Sequence, residues 1–275
     1  MRLGFCTHGG VSIRYAESAG PAPESILLTS PWPESVYAFA PIWPALTERF
    51  RVVAVDLPGF GGSQRRGDLL SPRAMARYIV RLIEEWDLPE PHVVGPDVGT
   101  SAALFAAADR PDLISSVIVG SGGAAASLRL SGPLAERVDA PDLDRDRAVD
   151  ARAVVGAALD TIRGYALPPE VREDYLRCYE GDRLVESMRY ARRDAEDLPL
   201  LAERLPAIET PVQIIAGRRD PLVPMANAEL LDQRLPHSRL VTVDAGHFVW
   251  EEASAEYASL VSDWVAGGHR DASSP

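Results

Sequence analysis

The sequence predicts an α/β protein: a mostly parallel sheet covered by helices on both faces. Three observations carry that reading. Short apolar runs recur along the chain, each closed by turn residues. Helical stretches separate them, and the connections are short, which is the signature of strand–helix repeats. A length of 275 residues accommodates a large α/β domain, and a composition that is 46% hydrophobic supplies its core.

Residues 1–17 alternate around His8, Gly9 and Gly10, and two glycines between strand-like runs predict a hairpin turn. Ser25–Thr29 is an apolar strand running into SPWPES, and Arg51–Val55 is another running into DLPGFGGS. Residues 73–87 carry apolar side chains at helical spacing. A strand at 92–95 then meets a tight GPDVG turn and a small-residue helix at 99–108. The next strand, 116–119, ends in GSGGAAAS. Further on, VQIIA at 212–216 ends in GRRDPLVP, a helix follows at 224–235, and RLVTV at 239–243 ends in DAGH before a closing helix. Between 123 and 206 the strand-like runs stop. That segment is rich in Arg, Asp, Glu, Leu and Ala and is broken at Pro133, Pro141, Pro168 and Pro169. It reads as a helical insertion dividing a core of residues 1–122 and 207–275.

Composition narrows the function. A formal net charge of −12 disfavours nucleic acid and anionic membranes, which need a basic footprint. All 28 basic residues are Arg, so lysine chemistry is excluded. Two isolated cysteines and five scattered histidines give neither a disulfide framework nor metal-ligand spacing. The glycines of DLPGFGGS match no phosphate-binding pattern and read as a tight turn. No leader-like segment and no membrane-length apolar run is visible. The expectation is a cytoplasmic, cofactor-independent protein, monomer or homodimer, acting on a small and mostly apolar molecule.

In a parallel sheet, ligands gather at the carboxyl ends of the strands. Three polar residues fall just after three strands there: Asp97, Asp220 and His247. Their chain order is nucleophile, acid, histidine. With DLPGFGGS at 56–63, GPDVG at 95–99, GRRDPLVP at 217–224 and AGHFVWEE at 245–252, the chain resembles an α/β-hydrolase over nearly its whole length. An aspartate in the elbow resembles the epoxide hydrolase and haloalkane dehalogenase branch. The resemblance implies the α/β-hydrolase fold, with a mostly parallel eight-stranded sheet and residues 123–206 as its cap. It also implies Asp97 as nucleophile, Asp220 as orienting acid and His247 as base.

Chemistry accounts for an aspartate in place of serine. A serine attacking a saturated carbon would leave an ether that activated water does not cleave. A carboxylate leaves an ester, which His247-activated water can hydrolyse. The resulting oxyanion would be met by the Val98 N–H and by that of Trp32 in the SPWP loop, where the family commonly has HGxP. Epoxide opening also needs a proton for the leaving oxygen, which the family takes from cap tyrosines. Tyr190, in MRYARR, resembles the second of these, and Tyr165 is the choice for the first. Tyr175 and Tyr179, four apart on one helix, read as packing residues. The expected activity is epoxide hydrolysis to a vicinal diol. A dehalogenase or another ring-opening enzyme is the alternative, and a non-catalytic binding protein on the same scaffold is the alternative of another class.

Overall fold

A computed structural model describes residues 1–20, 22–123 and 149–272 of the chain. An eight-stranded sheet runs in the order β1–β2–β4–β3–β5–β6–β7–β8. The strands are β1 (Leu3–His8), β2 (Val11–Glu17), β3 (Ser25–Thr29), β4 (Arg51–Val55), β5 (His92–Pro96), β6 (Ser116–Gly120), β7 (Val212–Gly217) and β8 (Ser238–Val243). β1 and β2 form the expected hairpin, with Gly9 and Gly10 both at positive φ in its turn. β2 pairs antiparallel with β4, and every later pairing is parallel.

The central strands are buried on both faces, so their apolar runs do not alternate with polar residues. Side chains still alternate in direction. Leu27, Val53, Val93, Val117 and Ile214 belong to one core layer. Ile26, Leu28, Val52, Val94, Ile118 and Ile215 belong to the other. The first layer packs under the helices α2 (Pro72–Glu85) and α3 (Gly99–Asp109), whose buried faces include Met75, Ile79, Leu82 and Phe105. Helix α2 begins where Ser71 Oγ accepts the Ala74 N–H at 3.2 Å, with Pro72 pre-set at the first helical position. The short α1 (Trp43–Thr47) and the carboxyl-terminal α9 (Val249–Glu252) and α10 (Ser254–Asp263) cover the second layer, and α8 (Ala226–Arg234) links β7 to β8.

Among the described residues between β6 and β7 are four α-helices: α4 (Ala151–Leu159), α5 (Pro169–Cys178), α6 (Arg183–Arg192) and α7 (Asp194–Arg204). The earlier part of the expected insertion, with Pro133 and Pro141, lies outside the described residues. A buried arginine clasps these helices to the sheet. Arg14 on β2 donates to Asp56 Oδ2 after β4 at 2.6 Å and grips Asp174 on α5 through two bonds of 2.7 and 3.0 Å. The same carboxylates hold the loop after β3. Asp56 Oδ1 accepts the Val36 N–H at 2.7 Å, and Asp174 Oδ2 accepts the Ser35 hydroxyl at 2.7 Å.

The order of the strands places the site. From β3 the chain moves first to β4 on one side and then to β5 on the other. The carboxyl ends of β3 and β5 therefore border the crevice where strand order reverses.

The Arg14 clasp yields a stability prediction. Arg14→Ala leaves two buried carboxylates without their counter-charge, which costs about 3–5 kcal/mol of unfolding free energy. Urea denaturation measures it; a loss under about 1 kcal/mol would contradict the clasp.

Candidate active site

Asp97 opens the turn directly after β5 at φ +52°, a conformation that strains a non-glycine residue. Two flanking glycines permit the bend. A Cβ on Gly95 would lie 2.7 Å from the Gly99 carbonyl oxygen, and one on Gly99 would lie 2.5 Å from Thr29 Oγ1. The Asp97 N–H is tied to the Gly120 carbonyl at 2.9 Å and its own carbonyl accepts the Thr100 N–H at 3.0 Å. The carboxylate sits at the amino end of α3, where the helix dipole and unpaired N–H groups favour negative charge.

The two carboxylate oxygens of Asp97 face different partners. Oδ2 accepts the Trp32 N–H at 2.6 Å. Oδ1 lies 3.7 Å from His247 Nε2. The other ring nitrogen, His247 Nδ1, is 2.9 Å from Asp220 Oδ2. Asp220 is held in turn by the N–H groups of Leu222 and Val223, at 2.8 and 2.9 Å on Oδ1. The three residues expected from their order in the chain are thus neighbours in space. Val98, the other expected oxyanion donor, is the residue capping α3, so its N–H has no intrahelical partner.

His247 is buried against Phe248 and Trp250, at ring separations of 5.0 and 6.1 Å. Burial opposes the imidazolium, but Asp220 and Asp97 outweigh it and push its pKa up to about 10. Burial likewise opposes the Asp220 carboxylate, yet His247 and the two backbone N–H groups hold its pKa below the usual carboxylate range. Asp97, His247 and Asp220 form one array, in which the ring stays protonated at neutral pH.

The tyrosines are placed differently from one another. Tyr190 is buried, donates to the Val98 carbonyl at 2.8 Å and lies 3.4 Å from Ser101 Oγ, so it touches the backbone of the elbow. Tyr165, in the connection between α4 and α5, is half-buried, and burial with nearby Glu251 and Glu34 raises its pKa. Among the described residues no hydrogen bond joins Tyr165 to Asp97 or His247. Tyr175 and Tyr179 are wholly buried; their hydroxyls donate to Glu251 Oε1 and to the Glu34 carbonyl, both at 3.0 Å.

Sequence reasoning passed over Glu34 and Glu251. Trp250 Nε1 donates to Glu34 Oε2 at 2.9 Å, so a buried acid stands beside the aromatic wall of His247. Burial and the neighbouring Glu251 raise the Glu34 pKa well above the carboxylate range, and burial raises that of Glu251 to about 7. The only signal was a glutamate directly after Pro33, in a loop read for its backbone donors.

The array makes a titration prediction. Ring-nitrogen NMR should find His247 still protonated at pH 8, with its midpoint near 10. Asp97→Asn removes one of the two carboxylates that raise it, so the midpoint falls. A wild-type midpoint at the ordinary value of about 6.5 would contradict the coupling.

Comparison with known proteins places the chain. Residues 25–254 match the family model described as alpha/beta hydrolase fold. The chain is 28% identical over 272 residues to a pimeloyl-[acyl-carrier protein] methyl ester esterase of Neisseria meningitidis serogroup B, covering 94% of this chain and 98% of that protein. It is 31% identical over 110 residues to a soluble epoxide hydrolase of Corynebacterium sp. strain C12, covering 40% of this chain and 38% of that protein. The solved structure of the epoxide hydrolase CorEH superimposes with a TM-score of 0.80 at 21% identity, over 96% of this chain and 98% of that one, a likeness of fold. The match to the family model spans most of the chain, and the protein belongs to the α/β-hydrolase fold family.

Proposed function

We propose that the protein is an epoxide hydrolase of the aspartate-nucleophile branch, opening an apolar epoxide to a vicinal diol through an ester on Asp97. The observation that carries this reading is the division of labour between the two oxygens of Asp97. Oδ2 is held by the Trp32 N–H, while Oδ1 faces the His247 side. Oδ1 attacks the saturated carbon and the ring C–O bond breaks. Oδ2 becomes the ester carbonyl oxygen, already seated against the backbone donor that will stabilise it as an oxyanion.

The histidine changes role between the steps. Once Asp97 is esterified, one of the two carboxylates supporting the imidazolium is neutral. His247 then gives up its proton more easily and serves as base for the water that attacks the ester carbonyl. Asp220 keeps the ring oriented throughout. Collapse of the tetrahedral species releases the diol and restores both the Asp97 carboxylate and the imidazolium.

Esterase relatives support hydrolase chemistry but not ester substrates here. A carboxylate attacking an ester carbonyl would give an anhydride, whereas attack on a saturated carbon gives a hydrolysable ester. A dehalogenase needs donors for the departing halide. The Trp32 indole N–H is directed to Ser187 Oγ at 2.8 Å, and Val98 follows the nucleophile, so the elbow offers no indole to a halide. The same bond seats the SPWP loop against α6.

His247→Ala, incubated with styrene oxide and 1,2-epoxyoctane, should accumulate a covalent adduct on Asp97 visible by mass spectrometry of intact protein. Asp97→Asn should start inactive. Wild-type diol formation with no adduct in His247→Ala would remove Asp97 from the mechanism.

A further inference from the structure

We propose that Asp194, a carboxylic acid with a buried and unpartnered oxygen at the junction of α6 and α7, is the proton donor for the leaving oxygen, where the sequence pointed to a cap tyrosine. The proposal rests on the epoxide reading.

Tyr190 pins the end of α6 to the elbow through its bond to the Val98 carbonyl, one residue past Asp97. Arg193 keeps helical torsions between the two helices, so Asp194 lies one turn beyond Tyr190 on the same face. The residue as a whole is half-buried, yet its Oδ1 is sealed from solvent and has no hydrogen-bond partner. A sealed, unpartnered carboxylate oxygen is costly as an anion, whereas a protonated carboxyl can donate from the same place. Tyr190, by contrast, already spends its hydroxyl proton on the Val98 carbonyl.

The charges around Asp194 favour the neutral form. Burial, then Asp97 on the elbow and Asp197 on α7, push its pKa up to about 8. Asp197 is itself occupied, accepting the Arg73 N–H of α2 at 3.1 Å. The field of Asp194 also reaches the Tyr190 phenol, whose pKa burial and then Asp194 raise. Arg193 turns away to Glu196 at 2.6 Å, leaving the carboxyl without that counter-charge. An acid of this strength donates near neutral pH far more readily than a phenol does.

Protons balance around the cycle. As Asp97 Oδ1 bonds to the ring carbon, the breaking C–O bond leaves its electron pair on oxygen, and that oxygen takes the Asp194 proton. Loss of the Asp97 charge lowers the proton affinity of both neighbours: the imidazolium releases its proton and Asp194 regains one by exchange through water, with no net change in protons. In the second step His247 takes a proton from the attacking water, and the departing alkoxide takes the other as the tetrahedral species collapses. The cycle ends with Asp97 ionised, His247 protonated and Asp194 neutral, as it began.

The test measures adduct formation from styrene oxide and 1,2-epoxyoctane in the His247→Ala background, by intact-protein mass spectrometry from pH 6 to pH 10. With Asp194 present, the rate should fall as pH rises through about 8, because the donor loses its proton there. Asp194→Asn should slow adduct formation by roughly 10²-fold or more and flatten that fall, and Asp194→Glu should recover most of both. A merely structural Asp194 would slow the reaction without flattening the profile, and that result overturns the proposal. An unimpaired Asp194→Asn overturns it alone, leaving the epoxide reading intact. If neither the wild type makes diol nor His247→Ala forms an adduct with any epoxide, the epoxide reading fails and the proposal with it.

Discussion

The hydrogen bond from the Trp32 N–H to Asp97 Oδ2 is the constraint on which the site depends. It fixes which carboxylate oxygen is held and which is left toward His247. It also joins the carboxyl ends of β3 and β5, the two strands between which the sheet reverses its order. The strained backbone at Asp97 and the glycines around it let the carboxylate meet that N–H. The loop carrying Trp32 is itself held from two sides. Asp56 and Asp174 fix residues 35 and 36, and Ser187 on α6 receives the Trp32 indole N–H. Arg14 ties both carboxylates to β2, so the inserted helices and the loop carrying Trp32 share one buried anchor.

Charge follows from this arrangement. Asp97, His247 and Asp220 are stable together because two carboxylates support one imidazolium in a buried place. Removing either charge changes the basicity of the ring. In the proposed reaction the substrate does this itself: alkylation of Asp97 turns a resting cation into a base when a base is needed. The same logic applies across the site, where the Asp97 charge helps to keep Asp194 protonated. One carboxylate thus raises the proton affinity of two neighbours, which in the proposed reaction act at different steps.

Much of the fold was legible in the sequence because its signals are local. Strand runs, the His8-Gly9-Gly10 turn and the helix after Ser71 each follow from neighbours along the chain. The order Asp97, Asp220, His247 was legible because each residue follows a strand, and parallel strands bring those ends together. What the inserted helices do was less legible. Tyr190 was read from its motif, and its hydrogen bond to a backbone carbonyl beside the elbow depends on how α6 docks. Asp194 looked like one charge among many in RRDAEDLP. Nothing local says that its Oδ1 loses solvent and finds no partner. Glu34 was hidden for the same reason, since its partners Trp250 and Glu251 come from the other end of the chain.

The central claim is that the oxygen delivered to the product comes from Asp97 and not directly from water. Single-turnover reaction with styrene oxide in heavy-oxygen water tests it most directly, using excess enzyme and mass spectrometry of both the diol and the Asp97 peptide. The account predicts an unlabelled diol and heavy oxygen in the Asp97 carboxylate after that one turnover. Label in the diol with Asp97 unlabelled would mean that water attacks the epoxide directly, and would contradict it.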